Sequence, residues 1–321
     1  PKVLWLIFDG MDYRIAFLDQ PYNLKMSEFD RLRQQALMAL NAYPPARETI
    51  TSMPALIDGR MISQAEIGGF DKLKIRYQDT DEIIDWGSQP NLFSRAKELK
   101  ATTAFVGEYL PYSRIIGKDL DFCDWFQYYP QYTSSNSVFA NMYQQIRMLL
   151  IGPARHYVQR KEAYLGIHNH TKRLVSSFDY DLIMIHNPIP HYPYFYQQPW
   201  WDDRSPQGYA NALKLVDLSL GEIRRIMEEQ GTWDQTNIII SADHGQHIRY
   251  DGREELRVPF IVKLANQKDP IVYEPAFNTV ITQELVLAVL RRKISSPNEL
   301  VRFLKQNSQM IEPEINQANQ N

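Results

Sequence analysis

The stretch Ser241-Ala242-Asp243-His244-Gly245 puts a carboxylate, an imidazole and a glycine directly after the apolar run Asn237-Ile238-Ile239-Ile240. Carboxylate oxygen and neutral imidazole both suit a divalent cation such as Zn²⁺. The same pair also occurs where a histidine is simply satisfied inside a loop, so it decides nothing alone. Three further segments carry matching chemistry. Asp9-Gly10 follows Val3-Leu4-Trp5-Leu6-Ile7-Phe8, and Asn187 and His191 follow Asp181-Leu182-Ile183-Met184-Ile185-His186. Glu48-Thr49-Ile50-Thr51-Ser52 is rich in hydroxyls and lies after Ala39–Tyr43 and Pro44-Pro45. Each has a plainer reading: a turn at Asp9-Gly10, a helix N-cap at Thr49, Thr51 or Ser52, a loop donor at His191. Those readings leave unexplained why all four segments fall at the ends of apolar runs.

The apolar runs are the elements that must position these groups. Four or more consecutive apolar residues predict strands buried on both faces, as in parallel sheets. Such strands are read at 3–8, 39–43, 103–107, 181–186, 237–242 and 259–262. Helices are read at 27–37, from about 49 to 58, at 92–99, from 139 onward, at 213–227, 282–292 and 297–305. Leu213, Val216, Leu220, Ile223 and Met227 give the clearest amphipathic face. This βα alternation predicts a mostly parallel sheet, whose strand ends share one edge where ligands bind. Residues 61–89 show no usable period, Glu108–Tyr132 reads as a surface excursion, and Pro188, Pro190 and Pro193 argue against regular structure there. His168 and His170 are expected to face solvent. The aromatic stretch from Tyr192 to Trp201 could stack on a sugar, lie against lipid, or pack a long loop. The expected organisation is one catalytic domain over residues 1–306, with surface excursions within 61–135, and a polar tail over 307–321.

With 321 residues, 44% apolar, the chain can bury a sizeable core. A net charge of −3 argues against nucleic acid as a partner. A lone cysteine, Cys123, excludes an internal disulfide, and its neighbours do not mark it as a nucleophile. No run reaches the roughly 20 apolar residues of a membrane span. The chain is therefore expected to be soluble as given. Its start at Pro1 leaves room for an extracytoplasmic or membrane-associated parent protein.

The motifs together resemble the alkaline phosphatase/sulfatase superfamily over almost the whole chain. Ile7-Phe8-Asp9-Gly10 resembles its N-terminal metal aspartate, and Ser241–Gly245 its later Asp-His pair. Pro190-His191-Tyr192-Pro193 resembles the Pro-His-x-Pro element, Tyr209–Leu220 with Gly221 the helix before the last metal strand, and Arg257-Val258-Pro259-Phe260 the Arg-Val-Pro strand after it. Thr49-Ile50-Thr51-Ser52-Met53-Pro54 resembles the Thr-x-x-Ser-x-Pro of lipid phosphoethanolamine transferases, whose nucleophile is the first Thr. The resemblance implies a three-layer αβα fold with a mostly parallel central sheet, alkaline phosphatase-like. It implies a metal held by Asp9, Thr49, Asp243 and His244, and Thr49 as nucleophile with Thr51 as runner-up. His191 and His247 would assist catalysis; Asn187 and Thr51 would contact substrate.

Thr49 cannot become formylglycine, and the sulfatase Cys-x-Pro-x-Arg is missing, which moves the expected substrate toward phosphate esters. The family's second metal uses Asp-x-x-x-His and a late His. Here Asn187 precedes His191 by the same spacing, and the last histidine is His247. One divalent metal is therefore expected, zinc first, with manganese, calcium or magnesium as alternatives. Bound to the Thr49 oxygen it would make an alkoxide at neutral pH. A phospho-threonine intermediate would then pass to water or to an acceptor alcohol. The expectation is a metal-dependent hydrolase or transferase acting on a small-molecule, glycan or lipid phosphoester. The alternatives are a degenerate protein that binds a phosphorylated glycan or lipid without turnover and, third, a sulfuric ester hydrolase.

Overall fold

The computed structural model describes residues 1–21, 23–126, 137–199, 204–246 and 255–308, with backbone alone for 144–145 and 147–155. Their elements, in chain order, begin with β1 (Lys2–Asp9), α1 (Tyr13–Phe17), α2 (Ser27–Arg33), β2 (Leu37–Ala39), β3 (Ala42–Tyr43) and α3 (Thr49–Asp58). Next are β4 (Ile62–Ile67), β5 (Leu73–Tyr77), β6 (Ile84–Asp85), α4 (Leu92–Glu98), β7 (Thr103–Glu108), α5 (Tyr112–Ile115) and β8 (Phe122–Phe126). The long α6 (Val138–Ser177) leads into β9 (Leu182–Pro190) and α7 (Pro206–Glu229). The remainder is β10 (Thr236–Ala242), β11 (Phe260–Lys263), β12 (Ile271–Tyr273), β13 (Phe277–Asn278), α8 (Thr282–Leu290) and α9 (Pro297–Ser308).

Eight strands form one sheet in the order β12-β2-β11-β10-β1-β9-β7-β8. Only β11 runs antiparallel to its neighbours. Alternate residues of β1 go to opposite faces, as strand geometry requires. Val3, Trp5 and Ile7 pack with α3, α4, α8 and α9 on one side. Leu4, Leu6 and Phe8 pack with α2, α6 and α7 on the other. That is the expected three-layer αβα arrangement, and it explains why the strand reads as one unbroken apolar run. Each fully buried large side chain on α7, such as Leu213 or Val216, contributes about 2 kcal/mol through burial. The helix runs to the left-handed Gly231, a conformation that favours glycine.

Several expectations are corrected. Residues 61–89 hold a three-stranded antiparallel sheet, β4-β5-β6; its polar face hid the pattern. From Glu108 to Phe126 the chain is not a surface excursion: Leu110, Tyr112, Ile115 and Ile116 are buried, and β8 extends the main sheet alongside β7, while 127–132 lie outside the described residues. Apolar residues there are interleaved with polar ones because β8 is an edge strand, covered less completely. His168 is buried, with Nε2 2.7 Å from Glu222 Oε2 across the α6–α7 contact. β9 continues through Pro188 and Pro190. Its pairing with β7 ends at Ile185, so past that point the prolines' missing N–H groups break no ladder on that side.

Candidate metal centre

Four adjacent strands, β10, β1, β9 and β7, bring their C-terminal ends to one place. They deliver Asp243 and His244, Asp9, His191 and Glu108 respectively. Helix α3 brings in Thr49 from beside them. The helix's N-cap residue is Glu48, which makes no side-chain cap bond. The expected capping role for Thr49 or Ser52 is therefore not what their hydroxyls do. Ser52 donates to the Asp243 carbonyl oxygen, and Thr49 Oγ1 lies 3.2 Å from His244 Nε2.

The backbone fixes which oxygen of each carboxylate is engaged. Asp243 Oδ1 accepts from the N–H of Gly10 (3.2 Å) and of His244 (2.9 Å). Gly10 sits at φ +71°, a left-handed conformation that glycine adopts without strain. Asp9 Oδ2 accepts from Arg160 Nη2 at 3.0 Å. The other two oxygens, Asp9 Oδ1 and Asp243 Oδ2, are buried and receive no hydrogen bond. Both face His244 Nε2, at 3.3 and 3.5 Å. His244 Nδ1 is 2.7 Å from the Gly245 carbonyl, which can only accept, so Nδ1 carries the hydrogen. In the neutral ring Nε2 then offers a lone pair toward two carboxylate oxygens.

Such a cluster requires a positive charge at its centre. Burial alone would lower the His244 pKa, yet Asp243 and Asp9 raise it to about 9. Burial would raise Asp9, but His191, His244 and Arg160 hold its carboxyl well below the usual range. The donor set therefore fits a divalent cation: two uncommitted carboxylate oxygens, one imidazole nitrogen and a threonine hydroxyl. Among the described residues, the acids and histidines whose ligand atoms all lie within 4.8 Å of one another are Asp9, His191 and His244. Asp243 Oδ2 stands outside that grouping, though it is buried without a hydrogen bond and lies 3.5 Å from His244 Nε2. His191 stands at the rim, with Nδ1 donating to the Tyr192 carbonyl at 2.8 Å and its ring edge-on to His244. Burial pushes its pKa down to about 4.

Three buried residues of the site carried no recognised signal in sequence. Arg160 of α6 bridges Asp9 Oδ2 and Glu108 Oε1, the latter at 2.8 Å. Burial pushes Glu108 up to about 7, against the lowering by Arg160. His186 Nε2 lies 3.8 Å behind Asp243 Oδ2. Glu108 stood at a predicted strand end and could have been found on that ground. Arg160 lies inside a polar helical stretch, and nothing local marks it.

Asp9, Glu48, Thr49, Tyr109, Arg160, His191, Tyr192 and His244 line a cavity of about 270 Å³. Thr51 and Asn187 do not line it; Asn187 is buried within β9 beside Phe8 of β1. His247, Trp200 and Trp201 lie outside the described residues. A larger cavity, about 460 Å³, sits at the opposite end of the sheet. Its cations Arg31, Arg224 and Lys268 are each paired with an acid, so it is a solvated groove without the ligand chemistry above.

Comparison with known proteins bears on the family and the fold. A family model described as Sulfatase matches residues 1–286. A Clostridium perfringens phosphopentomutase is 35% identical over 71 residues, 22% of this chain and 17% of the mutase. The chain thus spans under a fifth of that relative. Among solved structures, Ps i-CgsB in complex with k-i-k-neocarrahexaose superposes with a TM-score of 0.63 at 13% identity, covering 94% of this chain and 74% of that one. Phosphonate monoester hydrolase of Agrobacterium radiobacter gives 0.56 at 13% identity, covering 91% and 74%. These likenesses carry the fold.

Proposed function

Because the chain belongs to the Sulfatase family, we propose that it is a metal-dependent hydrolase or transferase of phosphate esters that works through a covalent phospho-threonine at Thr49. One observation carries the reading: Thr49 Oγ1 stands 3.2 Å from His244 Nε2, the atom on which the uncommitted oxygens of Asp9 and Asp243 also converge. A divalent cation held by Asp9, Asp243, His244 and Thr49 supplies nucleophile activation and charge neutralisation. Thr49 sits at the first position of α3, where the helix's positive end favours an anion. Arg160 adds a fixed positive charge at the cavity wall. His191 presents a largely neutral imidazole at pH 7, suited to accept a proton from water or an acceptor alcohol. As Thr49 Oγ1 bonds phosphorus, the ester P–O bond breaks and the substrate alcohol leaves with a proton. Water or an acceptor alcohol then gives up its proton, bonds phosphorus and breaks the Oγ1–P bond, restoring Thr49.

A threonine at this position, with the one cysteine half-buried in β8, favours phosphate over sulfate esters. The short match to a phosphopentomutase points the same way. A phosphate-ester-binding protein without turnover is the competing reading, motivated by Asn187 where two-metal relatives use an acid. Assaying p-nitrophenyl phosphate and bis-p-nitrophenyl phosphate with Zn²⁺ or Mn²⁺ separates them. Thr49→Ala is expected to cut turnover on the order of 10³-fold or more, assayed at metal concentrations that keep the site filled in both proteins. Metal-loaded wild type that turns over neither ester, or a Thr49→Ala variant as active as wild type, overturns the proposal.

A further inference from the structure

We propose that the guanidinium of Arg160 fills the place a second metal ion would need beside Asp9. The centre then works with one divalent cation, and Arg160 is the residue that keeps Asp9 Oδ1 turned toward it. This inference rests on the proposed metal-dependent reading and specifies it further.

The argument begins with Asp9, whose two oxygens have different partners. Oδ2 is bonded by Arg160 Nη2 at 3.0 Å, while Oδ1 is buried, receives no hydrogen bond and faces His244 Nε2. A carboxylate that divides its oxygens between two positive groups is the arrangement by which one side chain bridges two cations. Here one of the two is a side chain. Arg160 Nη1 reaches Glu108 Oε1 at 2.8 Å, so one planar fork ties together carboxylates from the ends of β1 and β7. The fork takes Asp9 Oδ2 and Glu108 Oε1, which leaves on that side a single buried oxygen without a hydrogen bond, Glu108 Oε2, and no pair of oxygens to hold a second ion.

The fork is also rigid. Arg160 is 1% exposed, and α6 packs against β7 and β9, so the guanidinium is held by the sheet's own geometry. Guanidinium keeps its charge at any working pH and no chelator removes it. It borders the cavity together with Thr49 and His191, which places its charge on the wall that an anionic group would approach.

The test measures ion uptake by the chelator-stripped full chain, using Zn²⁺ and Mn²⁺ alone, by calorimetric titration with elemental analysis. Wild type is expected to take one ion per chain. Lysine offers a point charge that cannot span both carboxylates, so Arg160→Lys should still take one ion, with Kd raised ~10–100-fold, the usual effect of losing a ligand's orienting partner. Arg160→Ala leaves Asp9 Oδ2 and Glu108 facing open space and should take a second ion. Circular dichroism verifies folding; should the alanine variant fail to fold, the lysine variant decides. Two ions in wild type, or wild-type affinity and stoichiometry in both variants, overturns this inference and leaves the proposed function standing. No ion in wild type sinks both.

Discussion

At the residue scale, Asp243 shows how one side chain can serve the fold and the site separately. Its Oδ1 closes the Gly10 and His244 amides, while Oδ2, buried without a hydrogen bond, belongs to the proposed ligand set. Asp243→Asn can retain the first function and lose most of the second. We expect it to keep its fold by circular dichroism while metal affinity falls more than ~100-fold, since losing a ligand exceeds the effect of losing a ligand's partner. Unchanged affinity in a folded variant would remove Asp243 from the ligand set. Residues of this kind were legible because acid and imidazole stand at the ends of apolar runs. Arg160 and His186 were not. A lone Arg among polar residues of a helix reads as solvated, and a histidine at the end of an apolar run reads as strand; only tertiary packing reveals what each faces.

At the element scale, α3 is anchored at both ends by polar contacts. Its C-terminus holds Asp58, which is 1% exposed and accepts from Tyr77 Oη (2.8 Å) and Trp86 Nε1 (3.0 Å). Burial raises the Asp58 pKa to about 7 despite those two donors. An acid whose pKa is higher folded than unfolded holds its proton more tightly in the native state. Its stabilising contribution is therefore complete below about pH 4 and lost as pH climbs through about 7. The size is on the order of 4 kcal/mol. Asp58→Asn stays neutral, so its urea midpoint should fall less than that of wild type between pH 4 and 8. Parallel pH profiles for the two proteins would refute the assignment. The sheets show why some elements were readable. β1, β9 and β10 are buried on both faces and announce themselves as apolar runs. β5 alternates buried and exposed positions over only five residues, too few for a period to emerge. In α6, Phe139, Met142, Ile146 and Leu149 recur at helical spacing, which makes the helix readable, yet Phe139, Met142 and Ile146 are exposed.

At the scale of the whole molecule, the three-layer architecture turns six separated segments into one centre. Two apolar clusters, one on each face of the sheet, hold the layers together, and among the described residues no helix is long and apolar enough to cross a membrane. A cation that binds only the assembled centre stabilises the native state by mass action, about 2.7 kcal/mol at a hundred times Kd. For a chain of this size that corresponds to a Tm rise of roughly 4 °C. Differential scanning fluorimetry with Zn²⁺ or Mn²⁺ against chelator should show the shift in wild type and largely lose it in Asp243→Asn. An equal shift in both would mean that the ion binds elsewhere.

The hydrogen bond from Gly10 to Asp243 joins positions 233 residues apart. A protease nick that let the two halves separate would leave each with only part of the ligand set. Uptake of a cation by the proposed centre would therefore report that β1 and β10 have found one another, and a fragment missing either strand is expected to take up no Zn²⁺ at this centre in equilibrium dialysis.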